Sequence, residues 1–195
     1  MHAYGRFRAL LSLLLAAAIW GACSTRAVAQ APARTGSPAL VVLVRHGEKA
    51  SDQGEDPALT PAGLQRARAL ATSLRHAGVT AIITTQLRRT RQTAQPLAAA
   101  LGLTPEIVPV SVDWDQMDVH VKAVVAALYR HPGEVVLVVG HQNTVPPIIA
   151  ALGGPDLPGI CDPVFGNLYV LVPGARQAHL VQSHYGAPDP PGDCK

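Results

Sequence analysis

The stretch LVVLVRHGEK, residues 40–49, joins an apolar run directly to Arg45 and His46. Residues 39–44 are all apolar, which is typical of a central parallel strand that is covered on both faces. A strand that only fills a core is expected to end in turn residues, whereas this one ends in two side chains that bind or attack an anion. We therefore predict a functional site at the carboxyl end of this strand.

A second strongly apolar strand ends in a similar way. Residues 134–140, EVVLVVG, lead into His141, Gln142 and Asn143, ahead of a predicted helix over 144–152. In an open parallel sheet, ligands bind at the carboxyl ends of the strands. We therefore expect His46 and His141 to meet at one edge of the sheet, although 95 positions separate them.

A third predicted strand, residues 80–85, brings arginines to the same edge. The segment TTQLRRTRQTA, residues 84–94, places Arg88, Arg89 and Arg91 in the first turns of a helix. A guanidinium can hold two oxygens of one phosphate, and a helix N-terminus adds partial positive charge. Each of these features alone is common on protein surfaces. Their shared position at strand ends favours a cationic pocket for a tetrahedral dianion, and the pattern does not choose among the three arginines.

The order of elements predicts an α/β fold with a mostly parallel central sheet and helices on both faces, because strands alternate with helices. In the first helix, Leu64, Ala67, Ala71 and Leu74 are predicted to face the core, and Gly78 is expected to stop the helix. The other predicted helices are 87–101 and 116–130, and the other predicted strands are 106–110, 167–172 and 178–183. Pro109 lacks a donor, so 106–110 is expected at a sheet edge.

Four motifs in order resemble the histidine phosphatase superfamily, in its small, single-domain, phosphoglycerate-mutase-like branch. They are RHGE (45–48), LTPAG (59–63), LRRTRQTA (87–94) and VVGHQNT (138–144). The resemblance covers about residues 40–172. It implies that His46 attacks phosphorus and becomes phosphohistidine, while Arg45, Arg89, His141 and Asn143 bind the phosphoryl group. The family's spacing to Thr93-Ala94 selects Arg89, and no cofactor or metal is implied.

The chemistry places a condition on His46. The ring must be neutral with its attacking nitrogen free, so the other nitrogen is expected to donate to a fixed acceptor such as a backbone carbonyl. The alternative of a zinc site at His46 and His141 is disfavoured, because no Cys or acidic ligand lies at suitable spacing.

The general acid is an open point, because several carboxyl groups follow the second arginine motif. Asp113, Asp115 and Asp118 are candidates, and Asp115 is favoured by its distance from Arg89 along the chain. Helix capping by Asp115 or Asp118 is the competing explanation. Glu48 is a further candidate. The resemblance also includes phosphohistidine phosphatases that lack this acid. Trp114 and Tyr185 are candidates for a specificity wall, although core filling is the favoured role.

The N-terminus predicts export. Residues 1–29 read as a signal peptide, with Arg6 and Arg8 before an apolar segment and AVA (27–29) as the cleavage site. Lipidation at Cys23 or an uncleaved anchor are the alternatives. The predicted remainder is a linker (30–38), the histidine phosphatase domain (39–185) and a C-terminal tail (186–195). A periplasmic or secreted location follows, and Cys161 and Cys194 are expected to form a disulfide.

Export changes the charge argument. The first 29 residues hold three of the 16 Lys and Arg and none of the 13 Asp and Glu, so the mature chain is formally neutral. A neutral chain lacks the excess positive charge that is typical of nucleic-acid-binding proteins, so no nucleic-acid partner is expected. The expected partner is a small phosphorylated substrate or a phosphoprotein, with membrane contact only through the signal segment or a lipid at Cys23.

The function expected from the sequence is an exported phosphatase that acts on phosphomonoesters through a phosphohistidine intermediate. The alternatives are a phosphohistidine protein phosphatase without a general acid and a non-catalytic phosphate-binding module. A mutase is less favoured, because mutases of this resemblance are longer and carry insertions that close over their substrate.

Overall fold

The computed structural model describes residues 36–51, 54–111, 115–174 and 176–189, all within one compact unit. Several of the predictions made above lie outside these described residues: the signal peptide over 1–29, Cys23, Asp113, Trp114 and Cys194.

A six-stranded sheet runs through the described residues in the order β3-β2-β4-β1-β5-β6. Strands β1 to β4 are parallel to one another, and β5 and β6 are added antiparallel beside β1. This confirms the predicted α/β fold with a mostly parallel sheet. The strands are β1 (Leu40–Arg45), β2 (Val79–Thr84), β3 (Glu106–Ile107), β4 (Val135–Gly140), β5 (Asn167–Val172) and β6 (His179–His184).

Two apolar layers form, one on each face of the sheet. Val42 and Val44 of β1 pack in one layer with apolar residues of the first two helices, and Val41 and Leu43 pack in the other layer with the last two. This division follows from the alternation of side chains along a strand. The described helices are α1 (Pro61–Leu74), α2 (Arg88–Leu101), α3 (Met117–Leu128) and α4 (Val145–Ala151).

The LTPAG motif fixes the start of α1 against the loop that follows β1. The Thr60 side chain accepts a hydrogen bond from the Gly63 amide at 3.1 Å, and Pro61 occupies the first helical position. The Thr60 amide donates to the Glu48 carbonyl at 2.8 Å. A Cβ atom at position 63 would collide with the backbone of Glu48, so glycine allows this close approach.

The packing of α1 differs from the prediction at two positions. Leu64 lies on the exposed side, whereas Arg66 is buried together with Gly63, Ala67, Leu70 and Leu74. The buried stripe is therefore turned by a fraction of a helical turn from the predicted one. An arginine can lie on this stripe because its guanidinium has carboxylate and carbonyl partners, which are described below.

Two predicted element lengths were also wrong. Helix α1 ends at Leu74, before the expected stop, and the turn that follows leads to Gly78, whose φ is 73°. Strand β3 is at the predicted sheet edge but has two residues, not five. The Val108 amide still donates to the Thr84 carbonyl at 2.8 Å. Pro109 has no amide hydrogen and cannot extend the ladder.

The end of the predicted linker packs on the domain. Ser37 is buried, and its carbonyl accepts a hydrogen bond from the Gly133 amide at 2.9 Å. None of the helices in the described part of the chain has the length and hydropathy needed to cross a membrane.

Candidate active site

Three chain segments meet where parallel strands end. Strands β2, β4 and β1 are neighbours in the sheet, and they are followed by α2, His141 and His46 respectively. The ring centroids of His46 and His141 are 5.3 Å apart, with an interplanar angle of 66°. The structure therefore brings the two histidines together at one sheet edge, as the strand pattern predicted.

His46 is held in one tautomer by the chain beside it. Its Nδ1 lies 2.8 Å from the Gly47 carbonyl oxygen, which can only accept, so Nδ1 carries the hydrogen. The Gly47 amide in turn donates to the Thr93 hydroxyl at 2.9 Å. Within the described residues Nε2 has no hydrogen bond, so it is the nitrogen left for attack.

The charge state of His46 suits a nucleophile. Burial lowers the pKa of His46 to about 3, and the nearby Arg89 and Arg45 guanidinium groups act in the same direction. The carbonyl of Gly47 opposes this shift but does not overcome it. The imidazole is therefore neutral at pH 7, which is the charge state that the nucleophilic role expected from the sequence needs.

The lowered pKa of His46 predicts a stability loss in acid. The unfolded histidine binds a proton below about pH 6.5, whereas the folded one does so only near pH 3. The free energy of unfolding should therefore fall between pH 7 and pH 5, by about 2 kcal/mol from this group. Urea unfolding at both pH values measures this, and His46→Ala should show the smaller loss. An equal loss in both proteins would contradict the shift.

Arg45 is fixed by the loop that precedes β5. Its Nη1 lies within 3.0 Å of the carbonyl oxygens of Cys161, Asp162 and Val164, and its Cζ lies 4.1 Å from the centre of the Phe165 ring. Its Nη2 is 3.1 Å from the exposed Asp162 carboxylate. Nε has no partner among the described residues and Nη2 has one, so these two nitrogens can donate to an anion, whereas Nη1 is committed to the protein.

The structure separates the three arginines of α2. Arg89 is buried and lines the same cavity as His46, with Asp56 3.9 Å from its Nη1. Arg88 and Arg91 are exposed and line a different cavity. The geometry therefore places Arg89 beside His46 without any appeal to family spacing.

His141 is held by hydroxyl groups. Its Nε2 lies 3.2 Å from Thr85 Oγ1, and its amide donates to Thr144 Oγ1 at 2.9 Å. Burial, and then the neighbouring His46 and Arg89, lower the pKa of His141 well below its usual value. His141 is thus a second neutral imidazole at the site.

A cavity of about 520 Å³ opens at this edge of the sheet. Asn143 lines it, and its buried Oδ1 has no hydrogen-bond partner among the described residues. The lining residues are Arg45, His46, Lys49, Gly54, Glu55, Pro57, Arg89, His141, Gln142, Asn143 and Asp162.

The favoured general acid does not line this cavity. Asp115 is exposed and accepts a hydrogen bond from the Ser111 hydroxyl at 2.8 Å. Asp118 is exposed in the first turn of α3, and the residue at the cap position is Gln116, so neither aspartate caps the helix. The acid role of Asp115 therefore stays a prediction without support from its position.

Other carboxylates have positions that the sequence did not indicate. Glu55 and Asp162 line the cavity, and Glu48 binds the buried Arg66 instead. Tyr185 is buried in the layer formed with α1 and α2, in accord with core filling. In the described residues, no group of three or more His, Cys, Asp and Glu could hold a metal ion.

The chain shares sequence with known proteins over part of its length. Residues 41–119 match the family model described as Histidine phosphatase superfamily (branch 1). Over 71 residues the chain is 44% identical to the protein named "Probable phosphoglycerate mutase GpmB" from Yersinia pestis (strain Pestoides F). That match covers 33% of this chain and 33% of the relative, so the chain spans about a third of the relative's length.

Solved structures share the fold over most of the chain. The protein histidine phosphatase SixA, complexed with tungstate, aligns with a TM-score of 0.59 at 20% identity, covering 74% of this chain and 96% of SixA. The mycobacterial glucosyl-3-phosphoglycerate phosphatase aligns with a TM-score of 0.52 at 18% identity, covering 72% and 96%. The family-model match places the sequence signature of the histidine phosphatase superfamily within residues 41–119, and the solved structures show that the chain shares their fold.

Proposed function

We propose that this chain is an exported phosphatase that hydrolyses phosphomonoesters through a phosphohistidine intermediate. The family match and the phosphatases that share its fold support phosphatase activity in general. The observation that carries the proposal is the state of His46. Its imidazole is neutral, its Nδ1 is hydrogen-bonded to the Gly47 carbonyl, and it lines a cavity together with Arg45 and Arg89.

The proposed reaction has two displacements at phosphorus. Nε2 of His46 attacks, a P–N bond forms, and the bond to the ester oxygen breaks, so that the leaving group departs with the electron pair and takes up a proton. Arg45, Arg89 and His141 stabilise the charge on the remaining phosphoryl oxygens. Water then attacks the phosphohistidine, releases inorganic phosphate and restores neutral His46.

A phosphohistidine protein phosphatase is the second candidate function. The position of Asp115 outside the cavity favours it, because phosphohistidine has a good leaving group and needs no strong acid. SixA, which is named a protein histidine phosphatase, shares the fold.

Among the carboxyl groups of the cavity, Glu55 is better suited than Asp162 to protonate an ester leaving group, since Asp162 is ion-paired with Arg45.

A comparison of leaving groups separates the two candidates. Glu55→Gln is expected to lower the rate on an alkyl phosphate by about 10²- to 10⁴-fold and to spare p-nitrophenyl phosphate, whose leaving group needs no proton. Asp115→Asn, the matched change outside the cavity, should spare both substrates. Steady-state rates of both variants on both substrates provide the test. If Glu55→Gln keeps full activity on the alkyl ester, phosphohistidine or another activated substrate becomes the better assignment.

Export and the disulfide form the second part of the proposal. Cys161 is disulfide-bonded in the structure, and we propose that its partner is Cys194. Intact-mass analysis of exported protein should give a chain that begins at Gln30 and lacks two hydrogens relative to the dithiol. Two free thiols, or a lipid on Cys23, would contradict this part without touching the catalytic proposal.

A further inference from the structure

Asp189, in the predicted C-terminal tail (186–195), is bound tightly to the domain. Its Oδ1 accepts hydrogen bonds from the amides of Phe165 at 2.8 Å and Gly166 at 3.0 Å. Its Oδ2 lies 3.0 Å from Nε2 of His184, and Arg66 Nη2 lies 3.2 Å from Oδ1. The side chain of Asp189 is only 13% exposed.

The charge of Asp189 is stabilised by these contacts. Burial alone would raise the pKa of Asp189, but the hydrogen bonds from His184, Phe165 and Gly166, together with Arg66, lower it. Asp189 is therefore ionised at neutral pH, and hydrogen bonds to a charged carboxylate are the stronger kind.

The loop that Asp189 binds is the loop that holds Arg45. The amide of Phe165 donates a hydrogen bond to Asp189. The carbonyl of Val164 belongs to the same peptide unit, and it accepts a hydrogen bond from Arg45 Nη1 at 3.0 Å. The ring of Phe165 lies under the Arg45 guanidinium, and its centroid is 6.3 Å from that of His46. A shift of this backbone would therefore move both the hydrogen-bond acceptors of Arg45 and the ring beneath it.

Arg66 ties the same segment to the RHGE motif. Its Nε and Nη2 donate to Glu48 Oε1 at 2.9 and 2.8 Å. Its Nη1 donates to the carbonyls of Tyr185 and Ala187, each at 3.1 Å. We call Arg66, His184 and Asp189 the C-terminal clamp. The His184 ring of this clamp packs so closely over Gly166 that a Cβ atom at position 166 would collide with the ring.

We propose that Asp189 is a positioning residue for Arg45, and that the C-terminal clamp is part of the apparatus that binds the phosphoryl group. Asp189 does not touch the substrate. It fixes the backbone at Phe165 and Gly166, and this backbone fixes the plane and direction of the Arg45 guanidinium. The inference rests on the proposed function of the site.

Activity and phosphate affinity of matched variants test the inference. Asp189→Asn should lower kcat/KM for p-nitrophenyl phosphate by about 10- to 100-fold, the scale expected when a binding group is misplaced by about 1 Å. It should also weaken binding of inorganic phosphate, measured by calorimetry. His184→Ala should act in the same direction with a smaller effect, and it serves as the test if Asp189→Asn does not fold, because His184 is partly exposed. Folded variants with wild-type values would overturn the proposal.

A control and a double-mutant cycle separate positioning from general stability. Glu106 lies on β3, the edge strand at the far end of the sheet from β6, and its carboxylate pairs with Arg130 and His131. Glu106→Gln removes this carboxylate and should leave kcat/KM unchanged. In an Arg45→Lys background, Asp189→Asn should cost much less than in wild type, since its effect passes through Arg45. Equal losses in both backgrounds would refute the positioning role.

The same measurements distinguish this inference from the proposed function. A wild-type protein that binds phosphate but turns over no phosphomonoester contradicts the phosphatase, and weaker phosphate binding by Asp189→Asn would still support the clamp. A wild-type protein that is active, with an equally active Asp189→Asn variant, contradicts the clamp alone.

Discussion

Replacing His46 by alanine is expected to lower kcat/KM for every phosphomonoester by about 10⁴- to 10⁶-fold, the range seen when a covalent nucleophile is removed. The reason is that His46 offers a neutral imidazole beside Arg45 and Arg89, with Nδ1 bound to the Gly47 carbonyl and Nε2 without a hydrogen bond in the described residues. Loss should be equally severe for good and poor leaving groups, because the attack of His46 on phosphorus is the step that expels either of them.

The measurement combines rates with trapping of the intermediate. Wild-type protein quenched during turnover of a ³²P-labelled ester should carry an acid-labile phosphoryl group on His46, and His46→Ala should carry none. His179→Ala, a change at an exposed histidine of β6, is the matched control and should keep wild-type turnover. Substantial turnover by His46→Ala, or label on another residue, would mean that His46 is not the nucleophile.

The central part of this site could be predicted from sequence because it depends on topology. An apolar run followed by Arg45 and His46, and a second one followed by His141, place these side chains at one sheet edge in any parallel arrangement. The tautomer of His46 also followed, since a neutral nucleophile needs an acceptor for its second nitrogen and the Gly47 carbonyl is adjacent.

The supporting contacts could not be predicted in this way, because they join residues that no local pattern relates. The sequence assigned no role to Arg66, yet Arg66 is buried. Its guanidinium donates hydrogen bonds to Glu48 and Tyr185, which are 18 and 119 positions away along the chain. Asp189 lies in the predicted C-terminal tail, and its loop partners at Phe165 and Gly166 become neighbours only in the fold. The preference for Asp115 failed to find support for the same reason: distance along the chain from Arg89 does not measure distance to the cavity.

Replacing Arg89 by alanine is expected to lower kcat/KM by about 10²- to 10³-fold, the usual cost of removing one group that stabilises transition-state charge. Arg89 is buried beside His46, and the carboxylate of Asp56, with which it pairs, lies 3.9 Å from its Nη1. That separation leaves the guanidinium available to phosphoryl oxygens. Two effects should therefore appear together: a lower rate of phosphohistidine formation and weaker binding of inorganic phosphate.

Arg91→Ala provides the matched control for this prediction, because it removes the same charge from the same helix. Arg91 is exposed and lines a different cavity from His46, so its loss should leave both kcat/KM and phosphate affinity unchanged. A long-range field from the arginine-rich helix would instead make the two variants behave alike, and salt would then reduce both effects. Direct contact predicts a large loss in Arg89→Ala alone, with little dependence on ionic strength. Rates of the two variants at low and high salt decide between contact and field, and similar losses in both would remove Arg89 from the phosphoryl-binding set.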